Sequence, residues 1–284
     1  METGKSQTGQ WLASPQSLGL SCAVPASRAL IVGDLHLGAS GADVERAFHA
    51  FLATVPEPGD EVLIIGDLFD FWFEYRHVIP RRPFKTLSAL HNARERGLRI
   101  TMVGGNHARW GSDFLIRDLG IEFFESGEAE LELVGRRVYV HHGDGIAEQH
   151  WSSDLLHWIT RQRATIALFR ALHPDVGFWI ADRLSGTLAD ATKDRAVLDR
   201  AAAAQEQWAR AVLARRSDVD VVVLGHTHRP ALVDVGGRWY VNPGAFLDDG
   251  RYAVLTATGV VPARFTGAAT RGSGPRPLPG SPEP

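Results

Sequence analysis

Cysteine is almost missing from this chain: its 284 residues include one, Cys22. An intramolecular disulfide is therefore impossible, which fits a reducing compartment. A dominant charge is missing too. Lys and Arg number 30 against 33 Asp and Glu, a net −3, so no global basic field recruits nucleic acid. No apolar run approaches the roughly 20 residues that cross a bilayer. Near the start, "SLGLSCAVPA" is short and interrupted by polar residues, a poor apolar segment for an export signal. Residues 1–27 read as a disordered extension, and the Pro/Gly/Ser-rich residues 266–284 as a disordered tail. There is no internal repeat.

The chain does have short apolar, β-branched runs that recur along it. They are "RALIV" (28–32), "EVLII" (61–65), "RITMV" (99–103), "RRVYV" (136–140), "VDVVVL" (219–224) and "RWYV" (238–241). Their length and composition predict buried strands. Helical patterns lie between them. Val44, Phe48, Phe51, Leu52 and Val55 make one apolar stripe, and "RPFKTLSALHNARERG" is a second helix ended by Gly97. Strands alternating with helices predict an α/β fold. "AELELVGRRVYVHHGD" reads instead as a hairpin around Gly135, so part of the sheet is expected to be antiparallel. Residues 146–216 break the rhythm with helical patterns only and read as an insertion. Its last helix, with Val197, Ala201, Gln205 and Trp208 on one stripe, reads as an ordinary packing helix. The main domain is then 28–145 plus 217–265.

Polar clusters follow five of the strands directly: Gly33-Asp34-Leu35-His36, Gly66-Asp67, Gly104-Gly105-Asn106-His107, His141-His142-Gly143-Asp144 and Gly225-His226-Thr227-His228. Ligands in open α/β sheets gather beyond the carboxyl ends of strands, and glycine lets the backbone turn and approach closely there. Imidazole with carboxylate suits Mn, Fe, Zn or Co better than Ca or Mg. Each motif alone is weak: a lone Asp-x-His or His-x-His is usually a solvated turn, and Asn-His an Asx-turn. Five in the same position after a strand point to one converged site.

In this order the motifs resemble the calcineurin-like metallophosphoesterases over residues 28–258, the insertion excepted, and "VNPGA" resembles a late strand of that family. The resemblance implies a four-layer α/β/β/α sandwich and two divalent ions, with Mn²⁺ expected. It makes Asp34, His36, Asp67 and His228 ligands of the first ion. Asp67 then bridges to a second, also held by Asn106, His142 and His226. It places His107 against the substrate phosphate, as electrostatic partner or general acid. Asp70 and Asp144 are expected to orient the imidazoles, and His141, alternating away on its strand, to be structural. The family commonly has an acid after the histidine, where this chain has Ala108. That substitution bears on the aim and protonation of His107 and leaves every implied ligand in place.

"GDLFDFWFEYRHVIPRRPF" resembles a loop of the UDP-2,3-diacylglucosamine pyrophosphohydrolases of lipid A synthesis, which carry a lid where this chain has its insertion. The resemblance implies attack at the α-phosphorus of a lipid-linked nucleotide sugar, giving UMP and 2,3-diacylglucosamine 1-phosphate. Arg76 and Arg81 are then candidates to meet phosphate or uridine. Trp151, Leu155, Trp158, Phe169 and Trp179 are candidates to line an acyl groove; apolar residues at helical spacing equally describe plain packing. A cytoplasmic protein meeting the inner-membrane surface transiently is expected, with oligomeric state open. The alternatives are a phosphoesterase for a soluble ester (a nucleotide, cyclic nucleotide or phosphoprotein) and a binding module that kept the fold without catalysis. The intact ligand set argues against the latter.

Overall fold

A computed structural model describes residues 27–75, 77–105, 113–146, 163–177, 179–180, 183 and 195–267. The first half alternates strand and helix: β1 (Arg28–Gly33), α1 (Ala42–Thr54), β2 (Glu61–Gly66), α2 (Phe84–Glu95) and β3 (Arg99–Gly104). A π-helical turn (Phe114–Asp118) leads to β4 (Glu122–Phe124), β5 (Glu128–Leu133) and β6 (Arg136–His141). Then come α3 (Arg163–Ala171), α4 (Arg195–Arg215), β7 (Val221–Leu224), β8 (Ala231–Asp234) and β9 (Trp239–Asn242). A short α5 (Phe246–Asp249) precedes β10 (Arg251–Thr256) and β11 (Gly259–Arg264).

The strands form two sheets, in the orders β11-β10-β1-β2-β3-β4 and β5-β6-β7-β9-β8. Pairing is parallel from β1 through β4 and from β6 through β7 to β9. The edges are antiparallel: β10 against β1, β11 against β10, β5 against β6 and β8 against β9. The β5–β6 hairpin turns at Val134-Gly135, where the expected Gly135 has φ 72°. The β10–β11 hairpin is not among the expected strands, although Tyr252, Val254, Leu255 and Val260 give it buried apolar side chains.

The side-chain alternation of the strands sorts the core into layers. Leu30, Val32, Val62, Ile64, Ile100 and Met102 face α1 and α2, packing on Phe48, Phe51, Leu52, Leu87 and Leu90. Ala29, Ile31, Leu63, Ile65 and Val103 point the other way, into Val138, Val140, Val221, Val223 and Val241 of the second sheet. On the outer face of that sheet, Val222, Leu224 and Tyr240 pack on Ala209 and Leu213 of α4. The result is the four-layer α/β/β/α sandwich. Its parallel strands are covered on both faces, which is why all six residues of β2 are buried.

Among the described residues, no strand lies between β6 and β7. The last helix of segment 146–216, α4, is the outer layer of the sandwich, and α3 is tied to the loop after β2. There the Phe169 ring meets Phe73 edge-on at 5.0 Å and Phe71 at 6.3 Å. Arg170 Nε also donates to the Glu74 carbonyl at 3.1 Å. The Glu74 carboxylate, itself buried, accepts the Trp72 indole N–H at 3.2 Å and the Phe114 amide at 3.0 Å, fastening the π-helical turn to the β2 loop.

Burial pushes the Glu74 carboxyl above its ordinary 4.5, and the N–H groups of Phe114 and Trp72 only partly offset this. A raised carboxyl pKa means that ionisation disfavours the folded state. Stability linked to this group therefore falls as pH rises from 4.5 through the folded pKa. Glu74→Gln removes the titration. Its melting temperature relative to wild type is expected to rise from pH 4.5 towards neutrality, as followed by circular dichroism. A constant difference across that range would contradict the burial argument.

Candidate metal centre

Five strands of the two sheets end on the same side of the sandwich and deliver the expected residues there. β1 leads to Asp34 and His36, β2 to Asp67, β3 to Gly105, β6 to His142, and β7 to His226 and His228. The Leu35 and His36 amides donate to the Asp67 carbonyl at 3.0 and 2.8 Å, locking the first two loops together. Across the sheets, the His226 amide donates to Asp34 Oδ2 at 2.9 Å. The Gly225 amide donates to the His142 carbonyl at 3.0 Å.

Backbone strain marks the same residues. Asp34 (φ 50°), His36 (φ 47°), His226 (φ 70°) and His228 (φ 57°) all adopt the left-handed region, as Val134 does in the hairpin turn. Such a conformation costs about 1–3 kcal/mol for a non-glycine residue. It persists where surrounding contacts over-determine it, and that clustering points to a functional site.

The side chains form two groups that meet. In the first, the ligand atoms of Asp34, His36 and His228 all lie within 4.8 Å of one another. In the second, His142 Nε2 is 3.5 Å from Asp67 Oδ2, and the His142 and His226 rings are 5.0 Å apart. Asp34, Asp67 and His142 are buried. Asp34 Oδ1 and both ring nitrogens of His142 have no hydrogen-bond partner. Burial lowers the pKa of His142, but Asp67, Asp144 and Asp34 outweigh it and push the group up to about 9. Buried carboxylates converging on imidazole nitrogens, with lone pairs left over, constitute a demand for cations. The donor set of Asp and His fits first-row divalent ions.

Two glycines make room for this. A Cβ on Gly66 would collide with His142 Nδ1, and one on Gly105 with Asp67 Oδ1. Gly66 also has φ 79°. Their presence at the end of β2 and just after β3 is thus a requirement of close approach as well as of turning.

Asp144 is buried one residue beyond Gly143, close enough for its charge to act on His142. Asp70 donates its amide to the Leu37 carbonyl at 3.0 Å in the loop after β2. His141 Nδ1 accepts the Gly143 amide at 2.8 Å, on the far side of the strand from His142. Arg81 is exposed. Phe169 packs into the core, contacts that describe packing, whereas Trp179 is 63% exposed. Asn106, His107 and Ala108, with Arg76, Trp151, Leu155 and Trp158, lie outside the described residues. Sequence reasoning missed a buried polar group beneath the centre, formed by Gln205, Thr227 and Asn242. The signal available was a glutamine in the middle of an apolar helix stripe.

The chain belongs to the calcineurin-like phosphoesterase family, whose model matches residues 27–230, well over half of it. Members use divalent metals, and this chain is a metal-dependent hydrolase of that family. Among its relatives, a UDP-2,3-diacylglucosamine hydrolase of Porphyromonas gingivalis is 29% identical over 229 residues, 75% of this chain and 86% of the relative. The enzyme of the same name from Escherichia coli O7:K1 is 28% identical over 242 residues, 81% of this chain and 96% of the relative. That from Stutzerimonas stutzeri is 29% identical over 215 residues, 72% and 84% of the two chains.

Gly105→Ala is expected to displace Asp67 and His142 and weaken metal uptake by about 10-fold or more, read by calorimetry on the metal-stripped protein. Gly97→Ala is the control. It shares the positive φ of Gly66, but a Cβ there would have nothing within 4 Å, so strain of about 1 kcal/mol with unchanged metal uptake is expected. Equal uptake by Gly105→Ala and wild type would contradict the close-approach argument.

Proposed function

We propose that this protein hydrolyses the pyrophosphate of UDP-2,3-diacylglucosamine, or of a similar lipid-linked nucleotide sugar, releasing UMP and 2,3-diacylglucosamine 1-phosphate. The observation that carries the reading is the convergence of Asp34, His36 and His228 with Asp67, His142 and His226 at one sandwich end. It occurs in a chain that spans most of the length of relatives named for that substrate. The aromatic loop after β2 and the apolar, helix-patterned sequence of residues 146–180 support the choice of a lipid-bearing substrate.

In this reading Asp34, His36, Asp67 and His228 hold one ion, and Asp67, Asn106, His142 and His226 the other. Two divalent ions, Mn²⁺ in our assignment, supply Lewis-acid activation of water and charge neutralisation at phosphorus. The protein's own groups do the rest. Asp34 fixes the His226 turn by accepting its amide. Asp144 adds negative charge beside His142. His107 aims at the non-bridging phosphate oxygens and stabilises developing charge. Ala108 leaves His107 without an adjacent acid; the departing 2,3-diacylglucosamine 1-phosphate is a better leaving group than a simple alcohol, so strong proton donation matters less for this substrate. Arg76 and Arg81 meet the phosphates or uridine, and the segment bearing Trp151, Leu155, Trp158 and Trp179 meets the acyl chains. The site works in the cytoplasm at a membrane surface; among the described residues no helix is long and apolar enough to cross a membrane.

Incubation of the Mn²⁺-loaded protein with UDP-2,3-diacylglucosamine is expected to yield UMP, with ¹⁸O from labelled water in the UMP phosphate. His228→Ala and Asp67→Ala are each expected to lower turnover by about 100-fold or more. Absence of UMP alongside ready turnover of a soluble diester would overturn the substrate. Near-normal activity in either variant would overturn the ligand assignment.

A further inference from the structure

Beneath the metal centre, one fully buried amide is bonded to both turns that carry His142, His226 and His228. Gln205, on α4, is 0% exposed. Its Nε2 donates to the Gly225 carbonyl at 3.1 Å and to the Gly143 carbonyl at 3.4 Å. Its Oε1 accepts from Thr227 Oγ1 at 3.1 Å and from Asn242 Nδ2 at 3.4 Å. Gly143 follows His142, Gly225 precedes His226, and Thr227 separates His226 from His228. Asn242 braces the same turn from β9, reaching Thr227 Oγ1 at 3.2 Å and the Gly225 carbonyl at 3.3 Å.

The chemistry of this position is specific to a carboxamide. Two carbonyls need a donor and two donors need an acceptor, and the fork of a glutamine supplies both. Glutamate would set a carboxylate oxygen against two carbonyl oxygens. An apolar side chain would fill the volume and leave buried groups without partners. The packing is equally tight: a Cβ on Gly143 would collide with Gln205 Nε2. β6 and β7 are neighbouring parallel strands. The clamp therefore spans the two turns that carry the histidines, beside the backbone bond from the Gly225 amide to the His142 carbonyl.

We propose that Gln205 is a positioning residue for the metal centre, its carboxamide holding the β6 and β7 turns at the separation the ions require. This rests on the ligand assignment made above for His142, His226 and His228.

The test is Mn²⁺ binding to the metal-stripped full chain, by titration calorimetry, for wild type, Gln205→Met, Thr227→Val and Leu213→Ala. Gln205→Met keeps the volume and removes the clamp; Mn²⁺ affinity is expected to fall about 10- to 100-fold. Thr227→Val removes one bond to Gln205 and is expected to weaken binding to a lesser degree. It also decides the matter if Gln205→Met does not fold. Leu213→Ala removes packing of the same helix away from the turns; it is expected to lower the melting temperature and leave Mn²⁺ affinity unchanged. Wild-type affinity in folded Gln205→Met, or in Thr227→Val where Gln205→Met does not fold, would overturn the proposal alone. A loss of affinity in Leu213→Ala as large as in Gln205→Met would also overturn it, since loosening the helix would then suffice. Wild type that takes up no Mn²⁺ would overturn the metal centre and this inference with it.

Discussion

The hydrogen bond from the His226 amide to Asp34 Oδ2, 2.9 Å long and bridging 192 residues of sequence, ties the end of one sheet to the end of the other. Everything at the site depends on it. Asp34 is fully buried at the end of β1, and its second oxygen has no hydrogen-bond partner. A buried carboxylate satisfied on one side only is costly without a counter-charge. Asp67 is buried beside it. The fold thus concentrates negative charge where the two sheets meet, and the imidazoles of His36, His142, His226 and His228 stand around it. Such an arrangement is poor architecture for a protein that binds nothing there and good architecture for one that binds cations.

The rest of the sandwich is what makes that arrangement tolerable. Four of the site's residues hold left-handed backbone conformations, and each conformation opposes folding. The apolar layers between the sheets, and between each sheet and its helices, provide the compensating burial. They also provide rigidity: strands covered on both faces cannot slip register without disrupting close-packed layers on each side. Stability and function are linked here through strand ends, and the polar clamp beneath the β7 turn extends the same logic to α4.

Much of this is written in the sequence in a form that physical chemistry can read. Short β-branched runs ending in glycine and an acid or histidine place the strand ends, and with them Asp34, His36, Asp67, His142, His226 and His228. The stripe containing Phe48, Phe51 and Leu52 places α1. Other features have no local signature. The split into two sheets arises from contacts distant in sequence, such as β10 pairing with β1 from the other end of the chain. The reason for Gly66 and Gly105 lies in side chains of other strands. Gln205 reads as a tolerated polar residue on a packing stripe, because its four partners come from three other segments. Phe169 and Trp179 share a composition and separate only in three dimensions, one packed on Phe73 and the other exposed.

The central claim is that the ends of five strands from two sheets make one binuclear metal site for phosphoester hydrolysis. Anomalous diffraction from crystals soaked in Mn²⁺ tests it most directly. The account predicts two peaks about 4 Å apart, one within bonding distance of Asp34, His36 and His228, the other of His142 and His226, with Asp67 between them. A single peak, or peaks away from these side chains, would contradict it.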